Sequence, residues 1–178
     1  MDASHYFEHD RLRDGRPVIV RAIQPDDKQN LQEGLARLST DSVYKRFFRV
    51  IGTLSERELK YFTEVDFDRH VALGVGLLVG EQVLPIAVGR YIVSNPEVNP
   101  CTAEVALVVE DEYQGVGVGS LLLRHLIRVA RDGSIVRFVA FLHASNFRMY
   151  RVLLNSGLPM QGHTEDGITE VTLWLGGP

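Results

Sequence analysis

Apolar residues fall along this chain in two alternating patterns, short β-branched runs and stretches of helical spacing, and the alternation predicts an α/β protein. The first dozen residues are polar and predict a loose N-terminal arm over residues 1–15. Pro17-Val18-Ile19-Val20-Arg21-Ala22-Ile23 reads as a first strand. Pro25-Asp26-Asp27 then supplies a helix start with carboxylates in the first turn, where the dipole favours them, and Leu31, Leu35 and Leu38 follow at helical spacing. Ser39-Thr40-Asp41 ends that helix and caps a second, carrying Val43, Tyr44, Phe47 and Phe48. Ser55 opens a third, with Glu58 completing a capping box and Leu59, Phe62 and Val65 as its apolar side. His70 to Val79 and Val83 to Ser94 read as a hairpin around Gly80-Glu81-Gln82, and Asn95 to Pro100 as a proline-marked loop. Ile135 to His143 predicts another strand, Asn146 to Ser156 a helix stopped by Gly157, and Met160 to Leu175 a hairpin around Glu165-Asp166-Gly167. One domain over residues 1–178 follows, with a mixed sheet of about seven strands flanked by helices.

The most informative stretch is Thr102 to Asp132. Val105-Ala106-Leu107-Val108-Val109 is a buried-strand run, and Glu110, Asp111 and Glu112 make an acidic turn. Gln114-Gly115-Val116-Gly117-Val118-Gly119-Ser120 leads into Leu122, Leu123, Leu126, Ile127, Val129 and Ala130 at helical spacing. A strand, a glycine-rich turn and a helix start together aim free backbone N–H groups at one point, where the helix dipole adds positive charge, so the turn suits a phosphate. Glycine at 115, 117 and 119 lets a bulky anion approach the main chain. A tight turn with nothing bound has the same spacing.

Composition narrows the classes. At 178 residues and 45% hydrophobic the chain can bury a substantial core, and its net charge of −4, with no basic run interleaved by aromatics, argues against nucleic acid. Cys101 is the single cysteine, and the histidines have no metal-ligand spacing, which predicts no disulfide framework and no metal. No signal peptide and no membrane-length apolar run are apparent, so a soluble cytoplasmic protein without a membrane partner is expected.

The turn resembles the signature Gln/Arg-x-x-Gly-x-Gly/Ala of the GNAT acetyltransferase superfamily, matched by Gln114, Gly117 and Gly119. Ser42-Val43-Tyr44-Lys45-Arg46-Phe47-Phe48, Asp68-Arg69-His70-Val71-Ala72-Leu73 and Ala103-Glu104-Val105-Ala106 are similar to the GNAT domain of bacterial protein-lysine acetyltransferases. The resemblance spans roughly Val18 to Trp174 in element order. It implies a GNAT-like fold that uses acetyl-coenzyme A as cosubstrate. The pyrophosphate would lie on Gln114, Gly115, Val116, Gly117, Val118, Gly119 and Ser120, and the pantetheine arm would pair with Leu107, Val108 and Val109. Asn146, eleven residues before Gly157, resembles the family's later cofactor-contacting asparagine.

Acetyl transfer also needs a base, because an unperturbed lysine of pKa about 10.4 is almost wholly charged at neutral pH. Glu104 precedes a nearly continuous apolar run, where burial would raise its basicity, and it matches the glutamate of Ala-Glu-Val-Ala in the resembling lysine enzymes. A solvated charge at the strand's entry is the alternative. An N–H near Leu107 is the candidate oxyanion donor. The tyrosine that many GNAT enzymes use as acid is Leu153 here, and Tyr150, three residues earlier, is the substitute candidate. The expected activity is N-acetylation of a primary amine by direct attack, with a protein lysine leading. A small-molecule amine acetyltransferase and a non-catalytic acyl-coenzyme A-binding module are the rivals. The sequence leaves a homodimer open, and at this length no fused regulatory domain is expected.

Overall fold

A computed structural model of the protein describes residues 2–93, 97–98 and 101–176. Ser94, Asn95, Pro96, Asn99 and Pro100 lie outside these, and with them the expected last residue of the second hairpin strand and most of the proline-marked loop. Eight strands form one sheet in the order β1-β2-β3-β4-β5-β6-β8-β7. They are β1 (Phe7–Arg11), β2 (Pro17–Ala22), β3 (His70–Val79), β4 (Gln82–Ile92), β5 (Thr102–Val109), β6 (Arg137–His143), β7 (Met160–Glu165) and β8 (Ile168–Trp174). The helices are α1 (Lys28–Arg37), α2 (Thr40–Phe47), α3 (Glu56–Thr63), α4 (Val118–Asp132) and α5 (Phe147–Leu154).

The expected mixed α/β sheet is present with one strand more, because the arm expected to be loose is a strand. Asp2 caps a 3-10 turn at Ala3–His5, and β1 pairs with β2 from Phe7↔Arg21 to Arg11↔Pro17. The arm's polar composition misled because β1 is an edge strand fastened by polar contacts. The Tyr6 hydroxyl donates to His125 Nδ1 at 2.5 Å, and His125 Nε2 lies 2.9 Å from Asp10 Oδ2. Arg124 and Arg128 of α4 reach Asp10 and Glu8 at 2.6 and 3.1 Å.

Between β2 and β3 the capping predictions hold. Ser39 accepts from the Ser42 N–H, and Ser55 and Glu58 form a reciprocal capping box. The Glu58 carboxyl is held at about 2, chiefly by the backbone N–H and hydroxyl of Ser55. Pro25–Asp27 is a separate 3-10 turn, and Asp27 is buried in an ion pair with Arg21 at 2.6 Å. Helices α1, α2 and α3 lie on one face of the sheet and α4 on the other. The long apolar side of α4, from Val118 through Leu121, Leu122, Leu123 and Leu126 to Ala130, is buried. Gly89 of β4 makes room for it: a Cβ there would stand 2.8 Å from Leu126 and 3.0 Å from Leu122.

Candidate active site

The sheet opens at its centre. Among the described residues strands β5 and β6 are its one parallel pair, and there they bond only from Thr102↔Arg137 to Glu104↔Val139. Beyond that point β5 continues along β4 to Val109, while β6 continues along β8 to His143. Their facing edges separate, and a cleft of about 1090 Å³ fills the gap. Its wall includes Glu104 to Val109 on one side and Phe141 and Leu142 on the other. A strand edge left open in this way presents unpaired main-chain groups to an extended ligand.

The glycine turn closes the far end of the cleft. Gly115 and Gly117 adopt φ of 82° and 97°, which L side chains rarely tolerate. Gly117 is also the N-cap of α4 and has no side chain to satisfy the first turn. No backbone acceptor among the described residues takes the N–H groups from Gly115 to Ser120. The free donors of a fifteen-residue helix therefore face the cleft. Gly119 has a different reason to be glycine: a Cβ there would stand 3.2 Å from Val152 of α5, so it sets how closely the two helices pack.

Of the residues singled out from sequence, Glu104, Leu107, Val108, Val109, Gln114, Gly115, Gly117, Gly119, Ser120 and Asn146 all line this cleft. Val116 packs against the core and Val118 is buried within it, so each offers a ligand only its main chain. The Gln114 side chain braces the turn: its Nε2 donates to the Val109 carbonyl at 3.0 Å, and its Oε1 accepts from Arg148 at 2.6 Å. Asn146 caps α5 by accepting from the Met149 N–H at 3.1 Å.

Two expectations change. The burial anticipated around Glu104 is absent, because the end of the β5–β6 pairing leaves its side chain exposed on the cleft wall. Tyr150 does not line the cleft. Its ring lies over β7, where a Cβ on Gly162 would stand 3.7 Å from the hydroxyl. Tyr150 and Leu153 share one face of α5, as the spacing implies, but that face is turned to the core, where Leu153 is buried, and the cleft is lined instead by Arg148, Arg151 and Val152. The acidic turn is also spent locally: Glu110 is buried against Arg37 at 2.7 Å, and Asp111 accepts from Ser39 and Ser42.

Sequence reasoning missed most of the cations. Arg13, in the turn between β1 and β2, lays its side chain over Gly117, where a Cβ would stand 3.3 Å from Arg13 Cγ. Arg148 and Arg151 of α5 line the same cleft. At the other end Arg46 of α2 faces both this cleft and a smaller, mostly apolar cavity of about 110 Å³ under α1, α2 and α3. No single local spacing gathers these residues, since they arrive from the β1–β2 turn, α5 and α2. Among the described residues no three of His, Cys, Asp and Glu converge as a metal site, and no helix is long and apolar enough to cross a membrane.

The sequence profile described as the acetyltransferase (GNAT) family matches residues 39–156. The solved GNAT domain of PAT from S. lividans is 33% identical, with a TM-score of 0.82 over 94% of this chain and 96% of that one. An acetyltransferase of Pseudomonas aeruginosa is 26% identical over 93% of this chain and 87% of its own. Acetyltransferase Pat of Mycolicibacterium smegmatis is 29% identical over 80% of this chain, which spans only 41% of that protein. The match covers both sides of the cleft, from the cap of α2 to the end of α5. This chain therefore belongs to the GNAT acetyltransferase family and is an acetyl-coenzyme A-dependent N-acetyltransferase acting on an amine acceptor.

Proposed function

We propose that this enzyme moves an acetyl group from acetyl-coenzyme A directly onto the amine of a protein lysine. The observation that carries the reading is the open edge of β5, which runs from Glu104 at one end to the free N–H groups of the α4 start at the other. That layout suits one extended cosubstrate, with pyrophosphate on Gly115 to Ser120 and pantetheine along Leu107, Val108 and Val109. The thioester is then brought beside Glu104.

The chemistry follows from that placement. Glu104, directly or through a water, takes a proton as the amine nitrogen attacks the thioester carbonyl carbon. The carbonyl π pair moves to oxygen, where a strand N–H near Leu107 holds the developing charge. Collapse re-forms the carbonyl, breaks the C–S bond and releases coenzyme A as thiolate. With Tyr150 off the cleft, solvent is the proton source. A thiol of pKa about 8.5 leaves without a strong acid. The likeness of Ser42–Phe48 and Ala103–Ala106 to bacterial lysine acetyltransferases, and the identity to the S. lividans PAT domain, support lysine over other amines.

The test is release of free coenzyme A thiol from acetyl-coenzyme A with a lysine-peptide library and a panel of polyamines and amino acids. Glu104-dependent turnover on peptides is the expected result. Turnover on small amines alone would move the acceptor to the small-molecule class.

A further inference from the structure

The face of the sheet under α1, α2 and α3 carries charges that the acetyl transfer above does not use. Strand register puts Arg90 opposite Ala106 and Ile92 opposite Glu104, with His70 opposite Ile92 in turn. Paired residues and those two apart share a face, so His70, Arg90 and Glu104 stand together, Arg90 diagonal to Glu104. Arg90 is 5% exposed. Its Nη1 donates to the Phe62 carbonyl at 3.2 Å and to His70 Nε2 at 3.0 Å, and its guanidinium lies 4.6 Å from the Phe62 ring centroid.

A second guanidinium comes from α2. Arg46 stacks on Phe47 at 4.9 Å and lines both the cleft and the apolar cavity that Arg90 also lines. Burial drives both groups toward the neutral form; Arg90 is drawn down to about 9, with repulsion from Arg46 as a further cause. The other charges here are already matched, Arg21 with Asp27 and Arg37 with Glu110. Among the described residues neither Arg46 nor Arg90 has a carboxylate within ion-pair distance. Glu104 is the acid whose charge Arg46 feels, which leaves two cations against one anion. A desolvated cation without an anion is costly, and the walls of Val88, Val108, Phe47 and Phe62 strengthen the pull on any anion that enters.

We infer that Arg46 and Arg90 form a carboxylate subsite at the acceptor end of the cleft, so that the favoured acceptor carries a carboxylate beside its amine. An acidic residue flanking a target lysine has this chemistry, and so does the α-carboxylate of a free amino acid. The inference rests on the reading of Glu104 as base and of the cleft as the cofactor's place. The guanidiniums fit a carboxylate through paired N–H donors, and once bound it leaves the amine beside Glu104.

The experiment compares acceptors that differ only in carboxylate against carboxamide. One arm uses lysine peptides with Glu or Gln next to the lysine, and the other uses free amino acids and their amides. Wild-type enzyme is expected to favour the carboxylate member of at least one arm by roughly tenfold in kcat/KM, and the arm that responds identifies the source. Arg46→Gln is expected to bring that ratio near one through KM for the acceptor, with affinity for coenzyme A unchanged. Arg46→Lys is expected to restore part of it. Glutarate should compete with the acceptor in wild type and lose that competition in Arg46→Gln. Equal turnover of both members by wild type, or an equal loss on both in Arg46→Gln, overturns the subsite while acetyl transfer stands. No turnover on any acceptor overturns the catalytic reading, and the subsite with it.

Discussion

The two ends of the cleft are built by different means. At the α4 end the working groups are main-chain N–H donors, set by Gly115 and Gly117 within one short turn. At the Glu104 end they are side chains, brought from α2, β4 and β5 by the register of the sheet and by helix packing. The first end needs only local geometry and suits a ligand that does not vary. The second depends on contacts distant in sequence, and it is where an acceptor can be changed without altering the cofactor's place.

The comparison makes opposite predictions for substitutions at the two ends. Glu104→Gln should lower kcat by about 10²- to 10⁴-fold, the usual contribution of a positioned base, and leave acetyl-coenzyme A affinity unchanged. A pH–rate profile that keeps wild-type height from pH 6 to 9 would remove Glu104 from the chemistry. Gly117→Val should do the reverse. A β-branched residue at φ 97° costs about 1–3 kcal/mol, and its Cβ would crowd Arg13 at 3.3 Å. Acetyl-coenzyme A affinity should fall at least about tenfold in a titration, while kcat at saturation stays nearer wild type. If kcat alone fell, the division between a binding end and a chemical end would fail.

The same division explains what could be read from the sequence. The caps at Ser39 and Ser55, the hairpin turns, and the strand–turn–helix around Gln114 to Ser120 are local signals, and each appears where the spacing put it. Glu104 was found because it adjoins a conspicuous run, but its exposure was not, since that follows from where β6 stops pairing. Arg90 sits in an apolar strand with nothing beside it to mark it, and only the pairing of β4 with β5 brings it near Glu104. Tyr150 does share a helical face with position 153, but which face of α5 meets the cleft is set by packing, and this one is turned to the core and β7. The strand β1 was missed because its partners on α4 lie more than a hundred residues away.

A smaller effect tests the side-chain end through stability. His70 must stay neutral to accept from Arg90, and burial, with repulsion from Arg90, lowers its pKa from 6.5 to about 4. The unfolded chain therefore binds more protons in this range. The stability contributed by neutral His70 is fully present above about pH 6.5 and is lost as the pH falls through about 4. Urea denaturation at pH 7 and pH 4.5 should show a loss in wild type that His70→Gln reduces. An unchanged loss in that variant would mean His70 is not the group that titrates.

The smallest expected effect bears on whether the cofactor end is as local as its glycines suggest. Arg13 comes from the β1–β2 turn, and that hairpin is held to α4 by Tyr6, Asp10 and Glu8 through His125, Arg124 and Arg128. An exposed cation beside a bound phosphate is worth about 0.2–1 kcal/mol, which corresponds to a change of up to about fivefold. Arg13→Ala should raise KM for acetyl-coenzyme A by that amount, and the increase should shrink as salt rises because the contact is solvent-screened. Dephospho-coenzyme A should show the same loss of affinity as coenzyme A if Arg13 faces the pyrophosphate, since it lacks only the 3′-phosphate. An unchanged KM would remove the N-terminal hairpin from the cofactor site. A salt-sensitive increase would mean that the N-terminal hairpin is part of the cofactor site.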